Sequence, residues 1–480
     1  MTKYKNNLKK QNTLQRRRSD QTIVAALLAS GLSACGGGGG LENIEKKLSP
    51  VLSFNPTGDE LVDMMTAGSY FSSSNSSPLF YGLADGHYGE KWENPDKIAI
   101  LLQNLMNEFN HYSNTNLQYG GYYDSPNSAS DAGVSIVLSF DKFIFQSQGD
   151  NTLGISGYPH ASDNDFGIND FGGDLYINYH WSGWNINSQT EFENLITTND
   201  TAFAFLLQGL SFTLGLKSLT QAYEGRPAFE DTLYADMYEE SDRDYELSLG
   251  FISHDNDKLD SEVGKTLGAF DILALMHIYG PNQTTNSGDD FYVLSNTYEN
   301  TIIYDAGGTD TLDFSSSVNI INVALPSKQY TKNYFKTIID IEIGNILIDD
   351  FTATTINLFG EIENINSGSG DDLLIGNELD NVIIGGAGND QILLSQGSDI
   401  IYGGSGEDTF VALGSFLSAV FIGENTIIKD FEVGIDRLLV PNAFEPLTFS
   451  QNELGYATFT NSQGVNILLE GIEANVLLIA

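Results

Sequence analysis

Apolar residues recur with helical spacing in the first part of the chain and form short runs separated by turns in the last part. The spacing after Asp96 predicts a helix. The apolar stretch from Thr201 to Gly215 follows Asp200, a good N-cap residue, and predicts a second helix that ends at the glycine. A third apolar stretch, Leu267–Gly280, predicts a helix that also stops at a glycine.

Two apolar runs in the same part of the chain, Gly133–Phe140 and Gly172–Trp181, have the composition of strands. We expect residues 56–115 to be helical with loops. After Pro281 the pattern changes to short β runs, Gly-Asp turns and Asn-rich loops. The sequence therefore predicts an α+β domain over residues 56–282 and an all-β domain over residues 283–480.

Five consecutive nonapeptides occupy residues 367–411. They fit the pattern G-G-x-G-x-D-x-U-x, in which U is a large apolar residue, typical of the calcium-binding repeats of RTX proteins. The sixth position always offers an oxygen ligand, from Asp372, Asn381, Asp390, Asp399 and Asp408. The eighth position is always large and apolar, as Leu374, Ile383, Ile392, Ile401 and Phe410.

The spacing of these residues has a direct physical meaning. Glycines adopt positive φ and leave backbone carbonyls open, and Ca²⁺ takes six to eight oxygen ligands from carbonyls and carboxylates. In the RTX β-roll that this segment resembles, two nonapeptides make one coil, so alternate repeats stack on the same edge. We call the edge of repeats one, three and five the first edge, and the edge of repeats two and four the second edge.

The first edge keeps the glycines at positions two and four of each repeat, namely Gly368, Gly370, Gly386, Gly388, Gly404 and Gly406. The second edge loses most of its glycines, although Gly397 remains, and one carboxylate is replaced by Asn381. We therefore expect two good calcium sites on the first edge and one weaker site on the second edge.

Motifs on both sides of the repeats resemble the serralysin metallopeptidases. They are H-I-Y-G-P-N from His277, N-S-G-D-D from Asn286, D-A-G-G-T-D-T-L-D-F from Asp305, E-I-E-N from Glu361 and D-F-E-V-G-I-D-R-L from Asp430. The resemblance implies an α+β metzincin-like domain followed by an all-β parallel β-roll of RTX type. It also implies further calcium ligands at Gly288, Asp290, Asp305, Gly307, Gly308, Asp310, Glu361 and Glu363.

The zinc signature of that family is missing. Serralysins carry H-E-x-x-H-x-x-G-x-x-H, in which three histidines bind zinc and the glutamate is the general base. No two histidines of this chain are four residues apart. In the segment that occupies the same place, the zinc positions are Gln208, Phe212 and Ser218, and the base position is Gly209. Ser248–Ser253 stands where a methionine turn is expected. The sequence therefore predicts no catalytic residues and no zinc.

The N-terminus has the organisation of an export signal. Seven basic residues lie within residues 1–18, and an apolar run over residues 22–34 is too short to cross a bilayer as a helix. The run ends in L-S-A-C, which resembles a bacterial lipobox and predicts lipidation of Cys35. Residues 1–34 are thus a predicted lipoprotein-type signal peptide, and residues 35–55 are a predicted Gly-rich tether and linker.

Charge and cysteine content narrow the classes of partner. The chain has 480 residues, 22 Lys+Arg against 64 Asp+Glu, and a net charge of −42. Removal of residues 1–34 takes away seven basic residues and one acidic residue, which leaves −48. Such acidity excludes a nucleic-acid partner and favours a cation. A single cysteine excludes a disulfide framework.

These observations favour an exported, calcium-binding, serralysin-like protein without catalytic activity. Its first domain would keep the cleft and bind a peptide or protein there, or would merely display the roll. One alternative is an active secreted metalloendopeptidase with a non-standard zinc site, and another is a structural or adhesion module of the cell surface. The lipobox favours attachment to the outer membrane or cell surface, with a lipid as the membrane contact. The C-terminal segment Glu473–Ala480 instead resembles a type I secretion signal, which favours an extracellular protein.

Overall fold

A computed structural model describes two compact units, divided between Tyr279 and Gly280. The described residues are 48–57, 60–74, 77–86, 89–140, 154–156, 159, 173–179, 188–198, 200–217, 267–294, 302–327, 343–348, 354–416, 419–422, 425–439, 448–460 and 466–477. The predicted signal peptide, Cys35 and the first part of the predicted tether lie outside them. Among the described helices, none is both long enough and apolar enough to cross a membrane.

The first unit contains a small antiparallel pair, β1–β2, and a five-stranded sheet with the order β4-β3-β5-β7-β6 within the described residues. The strands β4, β3, β5 and β7 are mutually parallel, and β6 pairs antiparallel with β7 at the edge. The strand bounds are β1 Val51–Ser53, β2 Ser69–Phe71, β3 Leu79–Ala84, β4 Leu117–Tyr123, β5 Ile136–Phe140, β6 Gly154–Ser156 and β7 Leu175–Ile177.

Helices of the first unit precede, follow or connect these strands. They are α1 Glu60–Met65, α2 Pro95–Tyr112, α3 Pro126–Asp131, α4 Gln189–Thr198, α5 Asp200–Thr213 and α6 Ala269–Tyr279. The buried face of α2 follows the helical period, with Ile98, Leu102, Leu105 and Phe109 on one side. Every residue from Ala269 to Met276 is buried, so α6 is a core helix.

The three predicted helices correspond to α2, α5 and α6, and the two predicted strands contain β5 and β7. Gly215 and Gly280 follow the ends of α5 and α6 with φ of 98° and 78°, as glycine helix stops require. The prediction that residues 56–115 hold only helices and loops is wrong. This range contains the short strand β2 and the inner strand β3, whose six residues are all buried.

In the second unit, the chain alternates between two sheets from β8 to β11 and again from β13 to β19, one strand per rung. The first strands of the roll are β8 Phe291–Val293, β9 Ile302–Asp305, β10 Thr311–Asp313, β11 Ile321–Ser327, β12 Ile343–Ile348, β13 Thr354–Gly360 and β14 Asn364–Asn366. The strands of the nonapeptides are β15 Leu373–Ile375, β16 Val382–Ala387, β17 Gln391–Leu393, β18 Ile400–Ser405 and β19 Thr409–Val411.

Seven more strands complete the unit within the described residues: β20 Leu413–Phe416, β21 Ala419–Ile422, β22 Thr426–Ile428, β23 Arg437–Leu439, β24 Thr448–Gln451, β25 Tyr456–Thr460 and β26 Asn466–Glu473. A short helix, α7 Ala474–Leu477, follows them. One sheet has the order β8-β10-β14-β16-β18-β22-β26-β25-β24, and the other has the order β9-β13-β12-β11-β15-β17-β19-β23. The stacked strands are parallel, as expected for a β-roll, except at β11–β12–β13 and β24–β25–β26, where neighbouring strands are antiparallel.

The register places equivalent repeat positions next to each other. Leu374 pairs with Ile392, which pairs with Phe410 in the next rung, and Ile383 pairs with Ile401 in the facing sheet. All five eighth-position residues are buried in one apolar core between the two sheets. The antiparallel pairs β12–β13 and β20–β21 interrupt the regular alternation.

Candidate metal centre

The first edge carries a column of buried carboxylates. Asp372, Asp390 and Asp408 each stand immediately before a strand of the same sheet, and each is almost completely buried. The backbone N–H of Asp372 donates to Asp390 Oδ1 at 2.8 Å, and that of Asp390 donates to Asp408 Oδ1 at 2.9 Å. The structure thus brings the three predicted first-edge aspartates together, one per rung.

Two columns of backbone carbonyls run beside these aspartates. A Cβ on Gly386 would lie 2.1 Å from the carbonyl oxygen of Gly368, and a Cβ on Gly404 would lie 1.9 Å from that of Gly386. The fourth-position column is equally tight at Gly370, Gly388 and Gly406. With φ between 102° and 141° at the four later glycines, the turns need glycine both for the conformation and for the space.

The electrostatics of the first edge fit a cation. Burial, followed by repulsion from Asp372 and Asp408, raises the pKa of Asp390 to about 7. Burial also raises the pKa of Asp372 and of Asp408. Asp390 Oδ2 is buried without a hydrogen-bond partner. The carboxylate and carbonyl oxygens are the ligand types that Ca²⁺ takes.

Basic residues do not supply the missing charge. Within the described residues of 280–480, the lysines and arginines are Lys429 and Arg437. Lys429 pairs with Glu470, and Arg437 lies 3.7 Å from Glu407 on the surface. Both of these basic side chains therefore pair with glutamates outside the column of aspartates.

A second carboxylate cluster lies at the start of the roll. One carboxylate oxygen from each of Asp290, Asp305 and Asp310 falls within 4.8 Å of the others, a geometry that can hold a metal ion. Burial raises the pKa of Asp305 and of Asp310, and the carboxylates of the cluster repel one another. Asp310 Oδ2 is buried without a hydrogen-bond partner. The cluster therefore shares two features with the first edge that favour a cation site: buried carboxylates with a raised pKa, and a buried carboxylate oxygen without a hydrogen-bond partner.

The remaining predicted residues of this cluster lie close by. The backbone N–H of Asp310 donates to Glu363 Oε2 at 2.7 Å, and burial raises the pKa of Glu363. Glu361 Oε2 would lie 3.4 Å from a Cβ on Gly307. A Cβ on Gly308 would meet the carbonyl oxygen of Gly288 at 2.1 Å, so these two backbone turns are stacked.

The second edge places Asn381 and Asp399 in adjacent rungs, both buried. The backbone N–H of Asn381 donates to Asp399 Oδ1 at 3.0 Å, as between aspartates on the first edge. A Cβ on Gly397 would lie 2.2 Å from the carbonyl oxygen of Leu379, so one carbonyl stack is kept. Burial raises the pKa of Asp399 to about 7.

Two aspartates after the repeats extend the first edge and were not among the predicted ligands. Asp436 Oδ1 accepts the backbone N–H of Asp408 at 3.0 Å, so Asp436 occupies the next rung. The two carboxylate oxygens of Asp430 accept the backbone N–H groups of Gly403 and Gly404 at 2.9 and 3.0 Å. The sequence feature that could have identified Asp436 as a ligand is its place directly before the short strand β23. The sixth residue of a repeat has the same place before β15, β17 and β19.

The helix at the expected place of a zinc site is α5, which carries Gln208, Gly209 and Phe212. Gln208 is buried, and a Cβ on Gly209 would lie 2.9 Å from both δ-methyl groups of Leu175. Phe212 is partly buried on the same helix. Ser218 and the segment Ser248–Ser253 lie outside the described residues. Within the described ranges, the group of three or more His, Cys, Asp or Glu side chains whose ligand atoms all lie within 4.8 Å of one another is the Asp290 cluster.

Comparison with known proteins agrees with the geometry of the roll. The family described as RTX calcium-binding nonapeptide repeat (4 copies) matches residues 360–392 and 375–410. The chain therefore contains calcium-binding RTX repeats, and these lie in the stacked turns described above.

The chain is also similar to serralysins over part of its length. It is 30% identical over 221 residues to the metalloprotease AprA of Pseudomonas entomophila, which covers 41% of each chain. It is 30% identical to serralysin C of Dickeya chrysanthemi, over 32% of this chain and 31% of the relative. It is 29% identical to serralysin G of Dickeya chrysanthemi, over 43% of each chain. The matches thus span less than half of these relatives.

Among solved structures, the solution structure of the AlgE6R3 subunit from the Azotobacter vinelandii mannuronan C5-epimerase matches 24% of this chain and 75% of its own, with 23% identity and a TM-score of 0.10. The sequence similarity and the repeats together identify a serralysin-like chain with an RTX β-roll.

Proposed function

We propose that this protein is an exported calcium-binding protein whose first unit is a metzincin-like domain without zinc and without peptidase activity. The calcium is held mainly by the first edge of the roll and by the Asp290 cluster. The observation that carries this assignment is the buried, unpartnered Oδ2 of Asp390 between two other buried aspartates. A divalent cation supplies the positive charge that such a group needs.

The metzincin-like part of the proposal rests on the similarity to serralysins and on the mixed sheet beside α5. The proposed absence of peptidase activity rests on the residues of that helix. Neither Gln208 nor Phe212 is a good zinc ligand, and Gly209 has no carboxylate to act as a base. A glutamate at position 209 would also need the space that Leu175 fills.

The protein without its predicted signal peptide provides the test. Metal analysis after purification in Ca²⁺ is expected to find several calcium ions and less than stoichiometric zinc per chain. Incubation with casein and added Zn²⁺ is expected to give no cleavage. One zinc ion per chain together with chelator-sensitive cleavage would overturn the inactive assignment and support the metalloendopeptidase alternative.

We further propose that the first unit binds extended peptide segments without cutting them. The support is β6, an edge strand that pairs on one side with β7 in the described residues, because edge strands accept additional strands. Immobilised casein is expected to retain the calcium-loaded protein, and the casein is expected to remain uncleaved. Failure to bind casein, combined with binding to intact bacterial cells, would instead favour the adhesion module.

Export and attachment remain part of the same proposal. The predicted lipobox favours a lipid anchor at Cys35 on the outer membrane or cell surface, and the acidic composition excludes nucleic acid as a partner. The calcium-dependent roll is consistent with an environment outside the cytoplasm, where Ca²⁺ is abundant enough for weak extracellular sites.

A further inference from the structure

The middle of the second edge contains a closed hydrogen-bond network of four buried polar side chains, which we call the amide network: Asn377, Asn381, Ser395 and Asp399. Asn381 Nδ2 donates to Asn377 Oδ1 at 2.8 Å, and Asn381 Oδ1 accepts the backbone N–H of Asn377 at 3.0 Å. The Ser395 hydroxyl lies 3.0 Å from Asn381 Oδ1 and 3.1 Å from Asp399 Oδ2.

The network ties the second edge to neighbouring parts of the roll. Asn377 Nδ2 donates to the carbonyl oxygens of Pro326 and Ile362, both at 2.9 Å. Asn377 Oδ1 also accepts the backbone N–H of Leu379 at 3.0 Å. The side chain of Asn377 therefore uses both amide protons and its oxygen in direct protein contacts.

The two edges differ in how their buried oxygens are satisfied. On the first edge, Asp390 Oδ2 has no hydrogen-bond partner. On the second edge, every side-chain oxygen and nitrogen of the amide network has one within the described structure. A buried, ionised carboxylate oxygen without a partner is stabilised by a bound cation, whereas a satisfied network has its hydrogen bonds without one.

The space beside the second-edge turn is also filled. A Cβ on Gly376 would lie 2.3 Å from Ser395 Oγ and 2.5 Å from Asn381 Oδ1. On the first edge, the equivalent position at Gly385 faces Asp390 Oδ2 and the carbonyl oxygen of Gly403, at 2.4 and 2.5 Å. The second-edge position is thus lined by a hydroxyl oxygen and an amide oxygen, whereas the first-edge position is lined by a carboxylate oxygen and a backbone carbonyl oxygen.

We propose that the amide network closes this part of the second edge without calcium, so that Asn381, Gly397 and Asp399 are not calcium ligands. The residues do not fit a Ca²⁺ site, because Asp399 is the one carboxylate of the network and the side-chain oxygens of Asn377, Asn381 and Asp399 already accept hydrogen bonds from protein groups. This inference rests on the proposed function, since it assigns the bound calcium to the first edge and the Asp290 cluster.

The consequence is a roll with one calcium-dependent edge and one edge that is partly stabilised by protein groups alone. The hydrogen-bond donors of the network include the neutral side chains of Asn377, Asn381 and Ser395. Their hydrogen bonds do not depend on the calcium concentration. The second-edge turns at 376–381 and 394–399 are therefore stabilised before calcium is bound, while the first-edge turns depend on the ion.

The test compares two isosteric substitutions in the full chain, Asp399→Asn on the second edge and Asp390→Asn on the first. Bound calcium per chain is counted by native mass spectrometry. The calcium midpoint, which is the Ca²⁺ concentration at which half of the roll is folded, is measured by circular dichroism. Asp399→Asn is expected to leave the ion count unchanged and the midpoint within about twofold. Asp390→Asn is expected to remove at least one ion and raise the midpoint about tenfold, the equivalent of 1.4 kcal/mol.

A third variant keeps the inference falsifiable if Asp399→Asn does not fold. Asn381→Asp removes the donor to Asn377 and places a second carboxylate beside Asp399, so we expect it to bind one additional calcium ion. An unchanged ion count with a lower midpoint would show that the wild-type site already holds calcium and would overturn the inference, as would loss of an ion in Asp399→Asn. A wild-type chain that binds no calcium would overturn the proposed function itself.

Discussion

The backbone N–H of Asp372 donates to a carboxylate oxygen of Asp390, which is 18 residues further along the chain and one rung away in the roll. This hydrogen bond fixes one oxygen of Asp390 and leaves the other buried without a partner. In contrast, the second oxygen of Asp372 is paired with the hydroxyl of Ser367. The aspartates of one column therefore differ, and the middle one depends most on a cation.

We expect Asp390→Ala to raise the calcium concentration needed to fold the roll more than Asn381→Ala does. Asp390 contacts the rungs on both sides of it, so its loss affects two adjacent calcium sites. Asn381→Ala removes buried hydrogen bonds and is expected to cost about 1–3 kcal/mol with or without calcium. Circular dichroism of the full chain during Ca²⁺ titration measures both effects. Equal shifts of the calcium midpoint in the two variants would contradict this prediction.

Calcium affinity is expected to rise with pH between about 5 and 8. Burial raises the pKa of Asp390 to about 7 in the folded calcium-free roll, whereas an aspartate in an unfolded chain titrates near 3.9. The folded state therefore binds this proton more tightly, and the stability of the calcium-free roll falls as the pH rises from about 4 to about 7. Ca²⁺ needs the deprotonated carboxylate, so its binding releases protons over the same range.

Calcium midpoints at pH 5.5, 6.5 and 7.5 check this prediction. The Asp390→Asn variant is the matched control, because its side chain has no titrating group, and we expect its midpoint to depend less on pH. A wild-type midpoint that stays constant over the three pH values would be inconsistent with the raised pKa.

Gly388→Ala is expected to disrupt the stacking of the first edge. Its Cβ would lie 2.1 Å from the carbonyl oxygen of Gly370, and its φ of 126° is unfavourable for alanine. Gly434→Ala is the matched control, since φ there is 84° but no atom lies within 4 Å of the added Cβ. The control is expected to lose only the conformational term of roughly 1 kcal/mol. Chemical denaturation in Ca²⁺ compares the two, and similar losses would argue against the close carbonyl stack.

Gly209→Ala is expected to destabilise the first unit by about 1–3 kcal/mol through overpacking against Leu175. The exposed Gln103 on α2 provides the control substitution Gln103→Ala, which is expected to change stability by less than about 0.5 kcal/mol. Thermal unfolding of both variants measures the difference. A neutral Gly209→Ala would contradict the tight contact between this position and Leu175.

Cys35→Ser is expected to move the protein from the membrane fraction to the soluble fraction. The basic residues, the apolar run and the L-S-A-C motif would place a lipid on this cysteine. Because one acyl chain alone binds membranes weakly, a stable membrane fraction would require the multiple chains of a lipoprotein anchor. Fractionation with the wild type as reference checks the prediction, and an unchanged distribution would rule out the anchor.

The nonapeptide pattern allowed the stacking of the roll to be predicted, because its nine-residue period fixes which residue enters the core. The strand β3 was missed for the opposite reason. L-F-Y-G-L-A, Leu79–Ala84, is a short run that is buried throughout, so its sequence shows neither alternation nor a helical period. Only its place between β4 and β5 in a parallel sheet defines it as a strand.

The candidate sites show the same limit. The pattern identifies sixth-position oxygens, so Asp372, Asp390 and Asp408 could be predicted. It treats Asn377 and Ser395 merely as missing glycines, because their roles depend on contacts across the roll. Asp436 lies 28 residues after Asp408, since the pair β20–β21 is inserted between their rungs, and a strict repeat spacing cannot find it.

The alternation of strands between two sheets restricts how such a chain can change in length. A deletion of one nonapeptide would carry Asp408 from the column of Asp390 to the column of Asp399, and would send every later turn to the opposite side. A deletion of 18 residues would keep each turn on its own side and shorten the roll by one full coil. Gain and loss of repeats are thus subject to a parity rule, under which only even numbers of nonapeptides preserve the phase of the downstream chain.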